Sequence, residues 1–334
     1  MKRFLESGYA DIESILSVGV PFIFLIGGRG TGKTYGALKY AVMHKRKIML
    51  MRRTQSQADL INKQEFSPFK PIERDLAVDI SVDSVNKYSS AFYLEDQCIG
   101  YSCALSTVSN LRGFDASDLD LLIYDEFIPE KHERPIKNEG SAFLNAYETM
   151  NRNRELQGSE PLQLLALANA NDISNPIFME LSLIDVCDKM KSKQNPVYVN
   201  KERGVCIVML DGSSISKQKQ NTALYKLTQK SDFASMALSN SFAYNSTMSI
   251  KSQNVRDYKI ICGVGDIYIY KHRSDRRYYV TEYAAGKCDK YAADDIEVER
   301  FLKRWGRTMY MAYMNNNVLF ESMLAKSLFE WYIM

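Results

Sequence analysis

Histidine is scarce in this chain of 334 residues, and its cysteines are scattered. The three histidines are His44, His132 and His272; the six cysteines, at 98, 103, 187, 206, 262 and 288, form no Cys-x-x-Cys pair. A zinc module needs such ligands at close, repeated spacing, so none is expected, and the cysteines read as buried, reduced thiols. No apolar run approaches the ~18 residues that cross a bilayer. The N-terminal MKRFLESGYADIE is basic for three residues and then acidic, without the apolar centre of a signal peptide. The expected location is therefore cytoplasmic, with no membrane partner. Internal repeats and low-complexity segments are also lacking.

What is present is ordinary for globular protein: 46% hydrophobic and 25% charged residues, over a length sufficient for two domains. Charge is unevenly spread. Residues 1–197 hold 23 Lys+Arg against 26 Asp+Glu, whereas residues 198–334 hold 20 against 14. A basic second part suits a polyanionic partner, although a solvated surface explains it as well.

Short apolar runs, PFIFLIG (21–27), KIMLMR (47–52), LDLLIYDE (119–126) and LQLLALANA (162–170), alternate with the helical patterns TYGALKYAVMHK, SQADLINKQEF and SAFLNAYETMNRNRE. Continuous apolar runs suit strands covered on both faces, and the alternation argues an α/β domain with a parallel sheet. Residues 74–108 interrupt it as a β-hairpin, YSSAFYLE and YSCAL around the turn DQCIG. The polar stretch KMKSKQNP (189–196) suggests a boundary near 197. The expected division is a P-loop domain at 1–197, a helical linker at 198–240 and a small α+β domain at 241–334. In the last, YKIICGVG, DIYIYKH and RYYVTEY predict an antiparallel sheet, followed by helices.

The stretch GGRGTGKT (27–34) satisfies G-x-x-x-x-G-K-[ST], with Gly27, Gly32, Lys33 and Thr34 at the fixed positions and Gly28, Arg29, Gly30 and Thr31 completing the loop. Glycines let main-chain N–H groups curl around phosphates, and the helix that follows adds a favourable field at its N-terminus. Lys33 is expected to reach the β- and γ-phosphates of ATP, and Thr34 to ligate Mg²⁺. In LDLLIYDEF, an apolar strand ends in two acids. Asp125 is expected to hold Mg²⁺ and Glu126 to orient and deprotonate the attacking water. Asn169 ends another strand, where it is either a sensor of the γ-phosphate or an ordinary turn residue; Asn171 shares its face. Arg152 and Arg154, in NRNRE, point about 200° apart on a helix end, so one alone can serve a site. An arginine here acts on a neighbouring subunit or is simply solvated. Arg112, in SNLRGFD, and Arg52 and Arg53 are further candidates for nucleotide contact or structural support. Lys63, Lys70, Lys217 and Lys219 are candidates for gripping DNA phosphates, or solvated residues.

The order of these motifs, from GGRGTGKT through KIMLMRR, SNLRGFD, LIYDEF and RNRE to LANAN and its following Asn-Pro, resembles the DNA-packaging ATPases of small protein-primed podophages, the Picovirinae. It resembles more distantly the ATPase of phage large terminases. The resemblance covers most of the chain. It implies an additional-strand P-loop ATPase using ATP and Mg²⁺, with Glu126 as catalytic glutamate, and a C-terminal domain resembling a vestigial RNase H-like nuclease. It further implies a homopentameric ring docked on the portal of a prohead in the host cytoplasm and absent from the mature virion, translocating double-stranded DNA, with a prohead RNA between portal and ring. Arg152, and Arg112 near a second basic position, become residues acting in trans. Nuclease activity is not expected, because the C-terminal acids Asp266, Glu282, Asp289, Asp294, Asp295, Glu297 and Glu299 form no evident metal-binding set, and a protein-primed genome is already unit length. Two rivals remain at this point: another ring-forming DNA motor, such as a helicase or conjugation-type pump, and a nucleotide-dependent scaffold that binds nucleic acid with little hydrolysis.

Overall fold

The apolar runs become strands with no solvent on either face. In a computed structural model describing residues 1–111, 113, 116–130, 133, 136–170, 173–228 and 249–334, nine strands build one sheet. They are β1 (Phe22–Gly27), β2 (Ile48–Arg52), β3 (Ile80–Asn86), β4 (Ser89–Leu94), β5 (Gln97–Ala104), β6 (Leu121–Asp125), β7 (Gln163–Ala168), β8 (Val197–Asn200) and β9 (Val205–Leu210). Their order is β3-β4-β5-β2-β6-β7-β1-β9-β8. The run from β5 to β9 is parallel, with antiparallel strands at both edges. Residues 23–26 of β1 and 164–167 of β7 are fully buried, as strands between two helical layers must be. β7 lies between the P-loop strand β1 and the acid-bearing strand β6, which is the additional strand expected.

Alternate residues of β1 serve opposite layers. Ile23 and Leu25 join a core formed with helices α1 (Ile12–Leu16), α2 (Lys33–Met43), α3 (Gln55–Ile61) and α4 (Lys70–Leu76). Phe24 faces the other way, edge-on to Phe127 at 5.6 Å. On that side Tyr124 stacks on Phe143 of α5 (Glu139–Asn151) at 5.9 Å.

A second compact unit comprises residues 178–189 and 245–334. Its strands are β10 (Tyr258–Val264), β11 (Ile267–His272), β12 (Tyr278–Thr281), β13 (Asp289–Tyr291) and β14 (Val318–Phe320), in the order β13-β10-β11-β12-β14. The expected antiparallel meander is β10–β11–β12, extended by one parallel strand on each side. Phe301, Phe320 and Phe329 anchor its core.

Three expectations need correction. First, the boundary near 197 and the start of the helical linker are displaced. Residues 197–210 form the hairpin β8–β9, and β9 pairs with β1 from Phe22↔Val205 to Gly27↔Leu210. The run VCIVML is wholly buried, so apolar burial places it in the sheet, and KMKSKQNP closes a helix rather than the domain. Short helices do follow, at Ser214–Lys219 and Ala223–Leu227. Residues 229–240 of the expected linker, and the boundary at 240/241, lie outside the described residues. Secondly, the hairpin in 74–108 turns more tightly: Leu94 pairs with Gln97, leaving Glu95 and Asp96 as the turn, and β5 then joins β2. Thirdly, Arg152 is not helical. Helix α5 stops at Asn151 and Arg152 follows with φ 50° and ψ −136°.

The position of β9 is testable. Ile207, fully buried opposite Phe24, should lose roughly 2–5 kcal/mol of stability on substitution by Ala. A linker residue would change it by less than about 0.5 kcal/mol. Urea unfolding of Ile207→Ala separates the two.

Candidate nucleotide-binding site

The parallel strands end together along one edge, and the polar residues that end them meet there. The register Ile26↔Ala168 and Asp125↔Leu167 sets Gly27, Asn169 and the Asp125–Glu126 pair side by side. Ligands of open α/β sheets bind at such carboxyl ends. A cavity of about 360 Å³ opens there, lined by Arg29, Lys33, Thr34, Asp125, Glu126 and Asn169 among others. That volume falls in the usual range for small-molecule sites.

The loop needs its glycines. Gly32 has φ +80°, and a side chain there would run into the Tyr9 ring at 2.8 Å. A side chain on Gly27 would meet Leu210 of β9 at 2.8 Å. Gly32 precedes α2, and no side chain caps that helix. Lys33 folds back into the loop. Its Nζ donates to the carbonyls of Gly27 and Gly28, both at 2.9 Å, and to Asn169 Oδ1 at 3.3 Å. Burial, helped by the cations of Lys219 and Arg29 and opposed by Asp125 and Glu126, pulls the ammonium down to about 8.

Thr34 Oγ1 donates to the carboxylate of Asp125, its two oxygens lying at 3.0 and 3.1 Å. A hydroxyl beside a carboxylate is a donor set for a hard cation such as Mg²⁺. Arg52 spans both acids, with Nη2 at 3.0 Å from Asp125 and Nη1 at 2.7 Å from Glu126. Glu126 leaves the strand with φ +61°. Desolvation in the cleft raises its pKa, as do the carboxylates of Asp125 and Glu133, while Arg52 opposes the rise. Arg29 pairs with Glu130. The Nε atoms of Arg29 and Arg52 are buried and have no hydrogen-bond partner among the described residues. Unmet cationic donors, an uncapped helix start and an ammonium satisfied only by neutral acceptors together fit a polyphosphate.

The remaining candidates separate. Arg53 does not line the cavity. Its neighbour Arg52, the last residue of β2, instead reaches Asp125 and Glu126, two residues that do line it. The Arg53 guanidinium is fully buried and bidentate on Glu139, at 2.5 and 2.9 Å, with Glu133 at 3.2 Å. Arg154 is held by the carbonyls of Ala116, Ser117 and Leu119, whereas Arg152 is exposed. Arg112, Asn171 and His132 lie outside the described residues. Lys63 and Lys217 are exposed, and Lys70 pairs with Glu73 at 2.9 Å. Lys219 is turned towards the loop, donating to the Arg29 carbonyl at 2.6 Å. His44 stacks on Tyr40, and His272 pairs with Asp275. Cys103, Cys187, Cys206 and Cys262 are buried free thiols, and burial raises the pKa of each.

Sequence reading missed the N-terminal segment. The Ala10 N–H donates to the Thr31 carbonyl at 2.9 Å, and Tyr9 covers Gly32. This segment, with Tyr35, Tyr40 and Met43, lines a more apolar cavity of about 690 Å³ that shares Gly30 and Gly32 with the first. An aromatic, largely apolar space beside a phosphate loop suits a nucleobase. No local motif announces it.

The described residues include no helix long and apolar enough to cross a membrane. They hold no cluster of three or more His, Cys, Asp or Glu arranged for a metal. In the second unit four of the acids have local roles. Asp289 pairs with Arg304, Asp294 caps the helix Asp295–Phe301, and Glu297 and Glu299 pair with Arg300 and Lys303.

Comparison with known proteins adds to this geometry. The family described as podovirus DNA encapsidation protein (Gp16) matches residues 5–269. The DNA packaging protein of Bacillus phage phi29 is 25% identical over 265 residues, covering 78% of this chain and 73% of that protein. That of Bacillus phage B103 is 24% identical over 327 residues, covering 91% and 94%. In fold, the chain is similar to the phi-28 gp11 DNA packaging motor, with a TM-score of 0.68 at 18% identity over 98% of this chain and 97% of that one. The bacteriophage phi-29 viral genome packaging motor assembly gives 0.66 at 20% identity, over 98% and 99%.

Two outcomes are expected. Arg53→Ala strands the buried Glu139 carboxylate and should cost roughly 3–5 kcal/mol in chemical unfolding. A lysine whose pKa falls on folding binds its proton less well in the native state than in the unfolded one. Lys33 therefore burdens the fold below pH 8, and stability recovers between about 8 and the ordinary 10.5. Without nucleotide or Mg²⁺, Lys33→Met should be the more stable protein at pH 7, by up to about 3 kcal/mol. That advantage should vanish by about pH 10.5 in unfolding curves taken across the range.

Proposed function

This chain belongs to the podovirus DNA encapsidation protein family, and from that premise we propose that it is the ATP-hydrolysing subunit of a ring that drives double-stranded DNA through a portal into a prohead. The observation that carries the reading is the meeting of Lys33, Thr34, Asp125 and Glu126 at one cavity, with Arg52 bridging the two acids.

The proposed chemistry follows from where these side chains stand. Lys33 exchanges its loop carbonyls for phosphate oxygens, which are stronger acceptors for a cation. A nearby polyanion also keeps its lowered ammonium charged. Thr34 and Asp125 hold Mg²⁺, whose charge offsets that developing on the phosphoryl oxygens. Glu126 accepts the proton of the attacking water, and its raised pKa brings it nearer the working range of a general base. It must first leave Arg52. Asn169 bonds Lys33 and reports which partner Lys33 has taken. Arg152, exposed just past the end of α5, supplies positive charge to the site of the next subunit, which implies a homo-oligomeric ring, a pentamer by family resemblance. A prohead RNA at the portal belongs to the same reading.

DNA is gripped through its phosphates, without sequence preference and with strong dependence on salt. Lys63 and Lys217 remain exposed and suited to this. The C-terminal unit is proposed to be a nuclease-like fold without nuclease activity, since Asp289, Asp294, Glu297 and Glu299 are engaged in a cap and ion pairs. Localisation follows from the reading: the host cytoplasm, with transient docking at the portal vertex.

Steady-state ATP hydrolysis on proheads, with and without double-stranded DNA, tests the proposal. DNA should raise turnover, and Glu126→Gln should lower it by roughly 10²–10⁴-fold with ATP still bound. Arg152→Ala subunits mixed with wild type should depress turnover more than in proportion to their fraction. Turnover indifferent to DNA on proheads would refute the motor.

A further inference from the structure

We propose that Lys219 is a ligand of the nucleotide's terminal phosphates, and that its exchange between the Arg29 carbonyl and phosphate oxygen couples occupancy of the loop to the helical segment 213–228. The proposal rests on the reading of GGRGTGKT as a nucleotide site and adds a residue that no part of that motif contains.

Lys219 comes from 190 residues further along the chain, yet its Nζ donates to the Arg29 carbonyl at 2.6 Å. It sits directly over Gly30, so that a side chain there would push the flexible tip of the lysine aside. Gly30 has φ +72°, so the position favours glycine on conformational grounds as well. The ammonium is close enough to Lys33 to lower that residue's proton affinity, and its own is lowered by burial. Two lysines and Arg29 thus converge on one loop. An ammonium carries three donors, and the carbonyl of Arg29 satisfies one. Phosphate oxygens offer charged acceptors in place of a neutral one, and such bonds are about twice as strong.

The attachment of the helix gives the exchange a mechanical consequence. Its start is pinned to the N-terminal segment, where Ser213 Oγ donates to the Gly8 carbonyl at 2.6 Å. That segment is itself bonded to the loop through Ala10 and Thr31. Its other end is held to the loop by Lys219. Moving Nζ from carbonyl to phosphate therefore shifts the end that leads into Ala223–Leu227 while the start stays fixed.

Equilibrium binding of fluorescent ATP and ADP, each with Mg²⁺, to the full chain tests this. Lys219→Gln should weaken ATP binding roughly ten-fold, with a smaller loss for ADP, and Lys219→Arg should retain most of the affinity. Lys219→Met, matched in length, replaces the Gln variant if its thermal unfolding differs from wild type. Hydrogen exchange should show residues 214–228 gaining protection with ATP in wild type but not in Lys219→Gln. If Lys219→Gln binds ATP as wild type does, while Lys33→Ala does not, the role of Lys219 is refuted and the site stands. If wild type binds neither nucleotide, the site reading itself falls, and this proposal with it.

Discussion

Everything at the site depends on parallel strands ending level with one another. Hydrogen-bonded register places the ends of β1, β6 and β7 within a residue or so along one edge. Each strand is apolar until it ends, and then turns polar. The helical layers exclude water up to that edge and no further. The cavity is therefore a by-product of sheet geometry, and side-chain chemistry is confined to the residues that follow each strand. Moving one strand by one residue would send its terminal polar group to the opposite face, which would separate Asp125 from Thr34.

Arg52 and Arg53 show how a single strand end serves two purposes. Arg52, the last residue of β2, turns to Asp125 and Glu126, while Arg53, just past the strand, turns into the opposite layer, where Glu139 begins α5. The same helix ends beside Arg152. The cluster of acids and the arginine proposed to act on a neighbour are thus tied to two successive residues, Arg52 ending β2 and Arg53 just past it, and to the helix that Arg53 braces. A buried pair of this kind contributes uncertain net stability but fixes position, because either partner alone in the interior is costly.

Local structure was readable from the residues. GGRGTGKT, the Asp125–Glu126 strand end and the strand before Asn169 each declare themselves within ten residues, because loop conformation and strand burial are short-range demands. Long-range placement was not readable. VCIVML was submerged in polar flanks, so its burial as β9 was missed. Arg52 rather than Arg53 reaches Asp125 and Glu126, although alternation at the end of KIMLMRR carried that signal. Tyr9 and Lys219 reach the loop from both sides of the sequence, and nothing near either of them specifies an address.

The placement of β9 also sets a timetable. Strand β1, which leads into GGRGTGKT, lies between β7 and β9, so its second hydrogen-bonded neighbour is not synthesised until residues 205–210. During translation, residues 22–27 emerge early, wait some 140 residues for β7, and keep the edge that β9 will cover unpaired for some 180. Such an edge is open to pairing with another chain. Domains that depend on late strands are also slow to settle, because distant segments must meet before burial rewards them. A ribosome at five to twenty residues per second leaves that edge exposed for roughly ten to forty seconds. Abundant expression should then be limited by self-association of nascent chains, and a holding chaperone should raise the soluble yield.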